Sequence, residues 1–139
     1  MGYVETDFLM RYLHQLGVVI AKLLGLKEQW KFQEANQVIE NSLLDFGLKM
    51  PEVYLNIDQA ELLSKLKTTY DLNDGQMKVL AELLFQKGEV ERELSNYEVD
   101  KQYYSRALIL LEYLTDIEKV YSLERGQRID WIKSYLSNW

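Results

Sequence analysis

The stretch "QYYSRALILLEYL", Gln102–Leu114, sets one small residue, Ala107, inside a dense apolar stripe. Apolar residues recur at three- and four-residue steps on either side of it, which is the period of one helix face. An alanine in such a face marks a point where a neighbouring helix can come close. A second stretch repeats the arrangement: in "WKFQEANQVIENSL", Trp30–Leu43, the residues Phe32, Ala35, Ile39 and Leu43 stand at the spacing of Tyr104, Ala107, Leu111 and Thr115. An aromatic, an alanine three positions on and a large residue four beyond that thus recur, each time after a long amphipathic pattern. The chain reads as two helical hairpins of one kind.

The remaining segments extend this reading. Phe8, Leu9, Tyr12, Leu13, Leu16, Ile20, Leu23 and Leu24 predict a first helix from near Asp7, stopped at Gly25. A second is expected from about Glu28 to Phe46, with Gly47 as its C-terminal cap and Pro51 beyond. Asp58 and Glu61 have capping-box spacing and predict a short helix ending near Thr69. Asn73 caps a fourth, whose Met77, Leu80, Leu83 and Leu84 keep helical period and which runs through Gly88 toward Leu94 at some cost in propensity. A fifth covers about Val99 to Tyr121 and a sixth about Leu123 to Ser137. No segment alternates long enough for a strand.

With 139 residues and 47% hydrophobic content, one domain spanning 1–139 is expected, able to bury a core unaided. The chain has no cysteine, which excludes disulfides, thiolate metal sites and cysteine nucleophiles and makes the cytoplasm the default compartment. The apolar run "LGVVIAKLLGL" is short, broken by Lys22 and preceded by Glu5 and Asp7, so neither an export signal nor a membrane span is expected. Net charge is -6 and the middle of the chain, residues 51–100, carries eleven acids against five bases. That balance opposes a phosphate backbone, so nucleic acid is not an expected partner.

Constellations that carry chemistry are few. His14 is the single histidine, between Met10 and Val18 on a helical count, and a zinc site would need carboxylates for all its other ligands. No serine has a Gly-x-Ser-x-Gly context, and no glycine-rich loop with a lysine opens a helix. "DLNDG" begins like a calcium loop and Glu82 falls at the expected acid position, but its glycine comes one place early, and helix capping explains the same residues. "GEVERELSNYEVD", residues 88–100, packs five acids into one connection, either a solvated corner or a docking surface for a basic partner. Neither an enzyme nor a cofactor is expected.

The hairpin pattern resembles the tetratricopeptide repeat. Ala35 and Ala107 look like the small residue where the second helix crosses the first, Phe32 and Tyr104 like the aromatic before it, and Leu16 and Gly17 like the Leu-Gly pair of the first helix. Both hairpins are longer than a standard repeat, and no proline ends the fifth helix. The whole chain is also similar to a family of small uncharacterised bacterial proteins of tetratricopeptide-like fold. The resemblance implies an all-α stack of antiparallel helical hairpins with a C-terminal capping helix, about six helices in all. It also implies a protein or peptide partner held on the surface formed by the first helix of each pair.

On that surface the sequence offers Arg11, Gln15 and Lys22 from the first helix and Lys78, Glu82 and Gln86 from the fourth. The last helix offers a second surface. Ile129, Ile132 and Leu136 form one stripe, and Trp131, Tyr135 and Trp139 form another at four-residue steps. Either both stripes bury against the fifth helix, or the aromatic one joins two copies in a homodimer.

Overall fold

The computed structural model describes residues 2–119 and 122–138, with side chains from residue 10 onward. Among the described residues seven α-helices follow one another: α1 (Gly2–Glu28), α2 (Phe32–Asp45), α3 (Pro51–Leu55), α4 (Leu62–Thr68), α5 (Asp74–Glu93), α6 (Tyr97–Glu118) and α7 (Leu123–Ser137), with a 3-10 turn at Gln59–Glu61 before α4. No strand occurs among the described residues. The all-α expectation holds, with one helix more than anticipated.

Two pairs form antiparallel hairpins. At the closed end of the first, the Trp30 and Phe32 rings meet edge-on at 5.9 Å, and at its open end Tyr12 meets Phe46 at 5.7 Å. In the second, Arg92 Nε donates to the Tyr104 hydroxyl at 3.2 Å near the turn, and Lys78 pairs with Glu118 at 3.1 Å at the far end. α5 is the central rod, with α1, α2 and α6 all laid against it. Its buried residues therefore run round much of its circumference and include Gln86, Lys87 and Glu91 as well as Met77, Leu80, Leu83 and Leu84. Each fully buried leucine or methionine contributes roughly 1.5–3 kcal/mol relative to exposure.

Local chemistry sets the boundaries. Asn73 Oδ1 accepts from the Gln76 N–H at 2.8 Å, and the Gln76 side chain accepts from the Asn73 N–H at 3.2 Å, a reciprocal cap that starts α5 where expected. Gly47 turns the chain after α2 with φ 77°, and the Leu48 N–H reaches back to the Leu43 carbonyl at 2.9 Å. α1 departs from expectation. It runs through Gly25 to Glu28, and the same exit is made by Trp30 at φ 60°, with the Lys31 N–H on the Leu26 carbonyl at 2.9 Å. α3 was also unanticipated: Pro51 opens a helix at its first turn instead of only ending the one before.

The two alanines that framed the hairpin reading, Ala35 and Ala107, are both fully buried. The Leu16-Gly17 pair behaves differently, since a Cβ on Gly17 would meet nothing within 4 Å. The tight approach lies at Gly88 in α5, where a Cβ would fall 2.9–3.1 Å from the Tyr104 ring of α6. That ring is hemmed in by Phe85, Trp131 and Tyr135 and has no easy direction in which to give. Gly88→Ala, which in an exposed helix would gain about 1 kcal/mol, is expected to lose about 1–2 kcal/mol in urea denaturation; a gain would mean that the α5–α6 contact is loose.

Candidate interaction surface

Lys78, Glu82 and Gln86 occupy one face of α5 at four-residue steps, and the structure does bring them together. They do not line an open groove. Lys78 is paired with Glu118 of α6, Glu82 with Arg128 of α7 at 2.5 Å, and Gln86 donates to Glu82 at 3.0 Å while accepting from Lys27 of α1 at 2.9 Å. Gln86 is buried, which corrects its assignment as a groove residue. Lys27 of α1 covers Gln86, and α7 reaches this face at Glu82 through Arg128. Ser122 caps α7 by accepting from the Arg125 N–H at 3.3 Å, and Arg125 pairs with Glu118 at 2.9 Å.

A cavity of about 270 Å³ is left, lined by apolar Leu16, Leu111 and Leu114, by Ser122 and Glu124 at the start of α7, and by the charges of Lys78, Glu82, Arg125 and Arg128. Each of those four charges has an ion-pair partner within the chain. Burial pushes the Glu118 carboxyl up, but hydrogen bonds from Arg125 and Lys78 and their positive charges outweigh it, holding the group below the usual carboxylate range. Of α1's described side chains it is Leu16 that reaches this cavity. Arg11, Gln15 and Lys22 are exposed on a separate face of α1, and His14 is exposed as well.

The aromatic stripe of α7 is turned onto the α5–α6 hairpin. Trp131 and Tyr135 stack on each other at 5.2 Å with planes 5° apart, and both meet the Tyr104 ring edge-on at 5.2 and 5.3 Å. The Arg92 guanidinium lies over Trp131 at 5.4 Å and Tyr135 at 5.9 Å. The Tyr135 hydroxyl donates to Asp100 Oδ2 at 2.6 Å; burial, that bond and the nearby carboxyl push its phenol up to about 12. Trp131 nevertheless keeps 40% of its surface exposed. Trp139, the third member of the stripe, lies outside the described residues.

One surface escaped the sequence reading. Met10, Val18 and Leu24 of α1 are 50–61% exposed, and the smaller Gly17 and Ala21 beside them are exposed or nearly featureless. These positions share one side of the helix over about 21 Å. Past the end of α1, Trp30 is 77% exposed. Periodicity had assigned Leu24 to the core stripe and left Met10 and Val18 as flanks of His14. Among its described side chains, α1 fully buries Leu16 and Leu23 and leaves Met10, Val18 and Leu24 exposed. The exposed His14 lies between Met10 and Val18, and exposed apolar side chains gathered on one side of a helix offer surface that association can bury.

Among the described residues there is no group of three or more histidine or acidic side chains placed to hold a metal ion, and no helix long and apolar enough to cross a membrane. Compared with protein-family profiles, curated proteins and solved structures, the chain matches none.

Proposed function

We propose that this chain is a non-catalytic, tetratricopeptide-like protein-interaction module of the cytoplasm, and that its partner docks along the exposed face of α1. The observation that carries the reading is the strip Met10, Val18 and Leu24, three large apolar side chains left half or more in water on one helix. A partner helix laid along such a strip would bury it by the same physics that buries the other face of α1. The place differs from the groove expected between Arg11, Gln15 and Lys22 of α1 and Lys78, Glu82 and Gln86 of α5, where Lys78 and Glu82 are paired with Glu118 and Arg128.

The test is a triple variant, Met10→Ser, Val18→Ser and Leu24→Ser. Because these side chains are exposed, each change should move stability by less than about 0.5 kcal/mol. Affinity capture should then show a protein retained by the parent chain and lost from the variant. If every protein retained by the parent is retained equally by the variant, the α1 reading is wrong. The 40% exposure of Trp131 supports a second reading, a homodimer through the last helix. Sedimentation as a monomer up to high micromolar concentration would dispose of it.

A further inference from the structure

Trp30 is the most exposed large apolar residue described, at 77%, and it sits at φ 60°. It fills the position after α1 at which the left-handed backbone relieves the last carbonyls: its own N–H bonds the Lys27 carbonyl at 3.1 Å and the Lys31 N–H bonds the Leu26 carbonyl at 2.9 Å. Glycine is the usual occupant, and this chain uses it in the same motif after α2, at Gly47. A bulky aromatic side chain is a true outlier in that conformation. The indole recovers little by burial. A costly backbone residue that stays in water suggests use by something outside the chain.

Beside the indole lies a hollow of about 210 Å³ lined by Trp30, Phe32, Lys27, Glu89 and Glu93. Small-molecule sites usually start near 300 Å³, so the hollow has the scale of a single side chain. Its charges select which one. Lys27 is committed to Gln86 at 2.9 Å and to Glu89 at 3.2 Å. Glu89 is further shared with Arg92 at 3.8 Å. Glu93 has Arg92 at 4.0 Å, the longest ion pair found, and is 39% exposed, so its carboxylate retains room for a second cation. A π-face and an under-used carboxylate on the rim of one small hollow suit a planar cation, which stacks on the ring while it forks onto the oxygens. Guanidinium does both; an ammonium can sit over the ring or pair with an oxygen as a point charge, but it neither stacks as a plane nor forks.

We propose that the Trp30–Glu93 hollow is a pocket for an arginine side chain of a basic polypeptide partner. The acidic excess of residues 51–100, which supply Glu89 and Glu93, favours the approach of such a segment. The proposal rests on the reading of the chain as an interaction module and adds the chemistry of one contact.

The experiment is a calorimetric titration of the intact chain with a capped Gly-Arg-Gly-Arg-Gly peptide and with its lysine and citrulline counterparts. The arginine peptide is expected to bind with a dissociation constant below about 1 mM, the lysine peptide severalfold more weakly, and the isosteric but neutral citrulline peptide at least about tenfold more weakly. Trp30→Gly should abolish binding while raising Tm by about 2–4 °C, because glycine relieves the left-handed strain. Glu93→Gln should weaken binding severalfold without a change in Tm. The triple α1 variant should bind the peptide as the parent does, so failure of the α1 reading and failure of the pocket are separable. No binding at millimolar peptide, equal binding of the citrulline peptide, or full binding by Trp30→Gly would each overturn the proposal.

Discussion

Replacing Arg106 with methionine is expected to destabilise the fold by about 3–5 kcal/mol, although the side chain is not held by a direct ion pair. Arg106 is buried on α6, and its guanidinium spends all five donors inside the chain. Nε donates to the Tyr54 carbonyl at 2.9 Å, and Nη2 donates to the carbonyls of Leu55 and Ile57 at 3.1 and 2.9 Å. Nη1 donates to the Gln102 carbonyl at 3.3 Å and its side-chain oxygen at 2.8 Å. Tyr54 and Leu55 close α3, where carbonyls have run out of helical partners, so the arginine serves as that helix's C-terminal cap from another helix. Burial draws the guanidinium pKa down and the charge of Asp58 opposes this. Methionine keeps the volume, leaves the Leu55 and Ile57 carbonyls without a donor, and leaves the Tyr54 carbonyl only the long bond from the Ile57 N–H at 3.4 Å. Lysine carries a point charge and cannot fork, so Arg106→Lys should recover less than half of the loss. Urea denaturation gives the total, and amide exchange over residues 54–62 locates it. A loss under about 1 kcal/mol would show that water replaces the guanidinium at no cost.

This cap shows why some features could be read from the sequence and others could not. The Ala35 and Ala107 stripes, Asn73 as the cap of α5 and the limits of α7 were legible because each depends on residues within a few positions. Arg106 and its carbonyls are separated by about fifty residues, and nothing local distinguishes it from an arginine in water. Gln86, Lys87 and Glu91 follow the same logic. On α5 alone they look like a solvated face, and they are buried because Lys27 of α1, Asn36 of α2 and Asn96 before α6 come to meet them at 2.9, 2.8 and 2.7 Å. Gly25 misled in the opposite direction. Glycine ends a helix only where the chain must turn, and the turn falls at Trp30. The interaction surface was hidden for a related reason: periodicity shows that α1 has an apolar side, but the width left uncovered depends on neighbours assembled from the rest of the chain.

Tyr104→Ala is expected to cost about 3–5 kcal/mol and, more tellingly, to release α7 before the rest of the molecule unfolds. The Tyr104 ring has no exposed surface and lies between the Gly88 backbone on one side and Phe85, Trp131 and Tyr135 around it. α7 relies on that ring more than its length suggests, because Ile132 is its one fully buried residue and the stacked Trp131 and Tyr135 rest on Tyr104. Without the ring, α7 would keep Ile132, the Phe85–Trp131 contact, the Tyr135–Asp100 bond and the ion pairs Arg125–Glu118, Arg128–Glu82 and Lys133–Glu112, and partly exposed pairs contribute at most about 1 kcal/mol each. Tryptophan emission in the variant should therefore shift to the red, and α7 amides should exchange faster than those of α5. Tyr104→Phe separates ring from hydroxyl. It removes the bond from Arg92, should cost about 1 kcal/mol and should leave α7 docked, since every ring contact survives. If the alanine variant kept α7 protected to the same degree as α5, the helix would be held by its polar contacts, and the cavity beneath it would be a stable feature of the molecule instead of one that opens when α7 lifts.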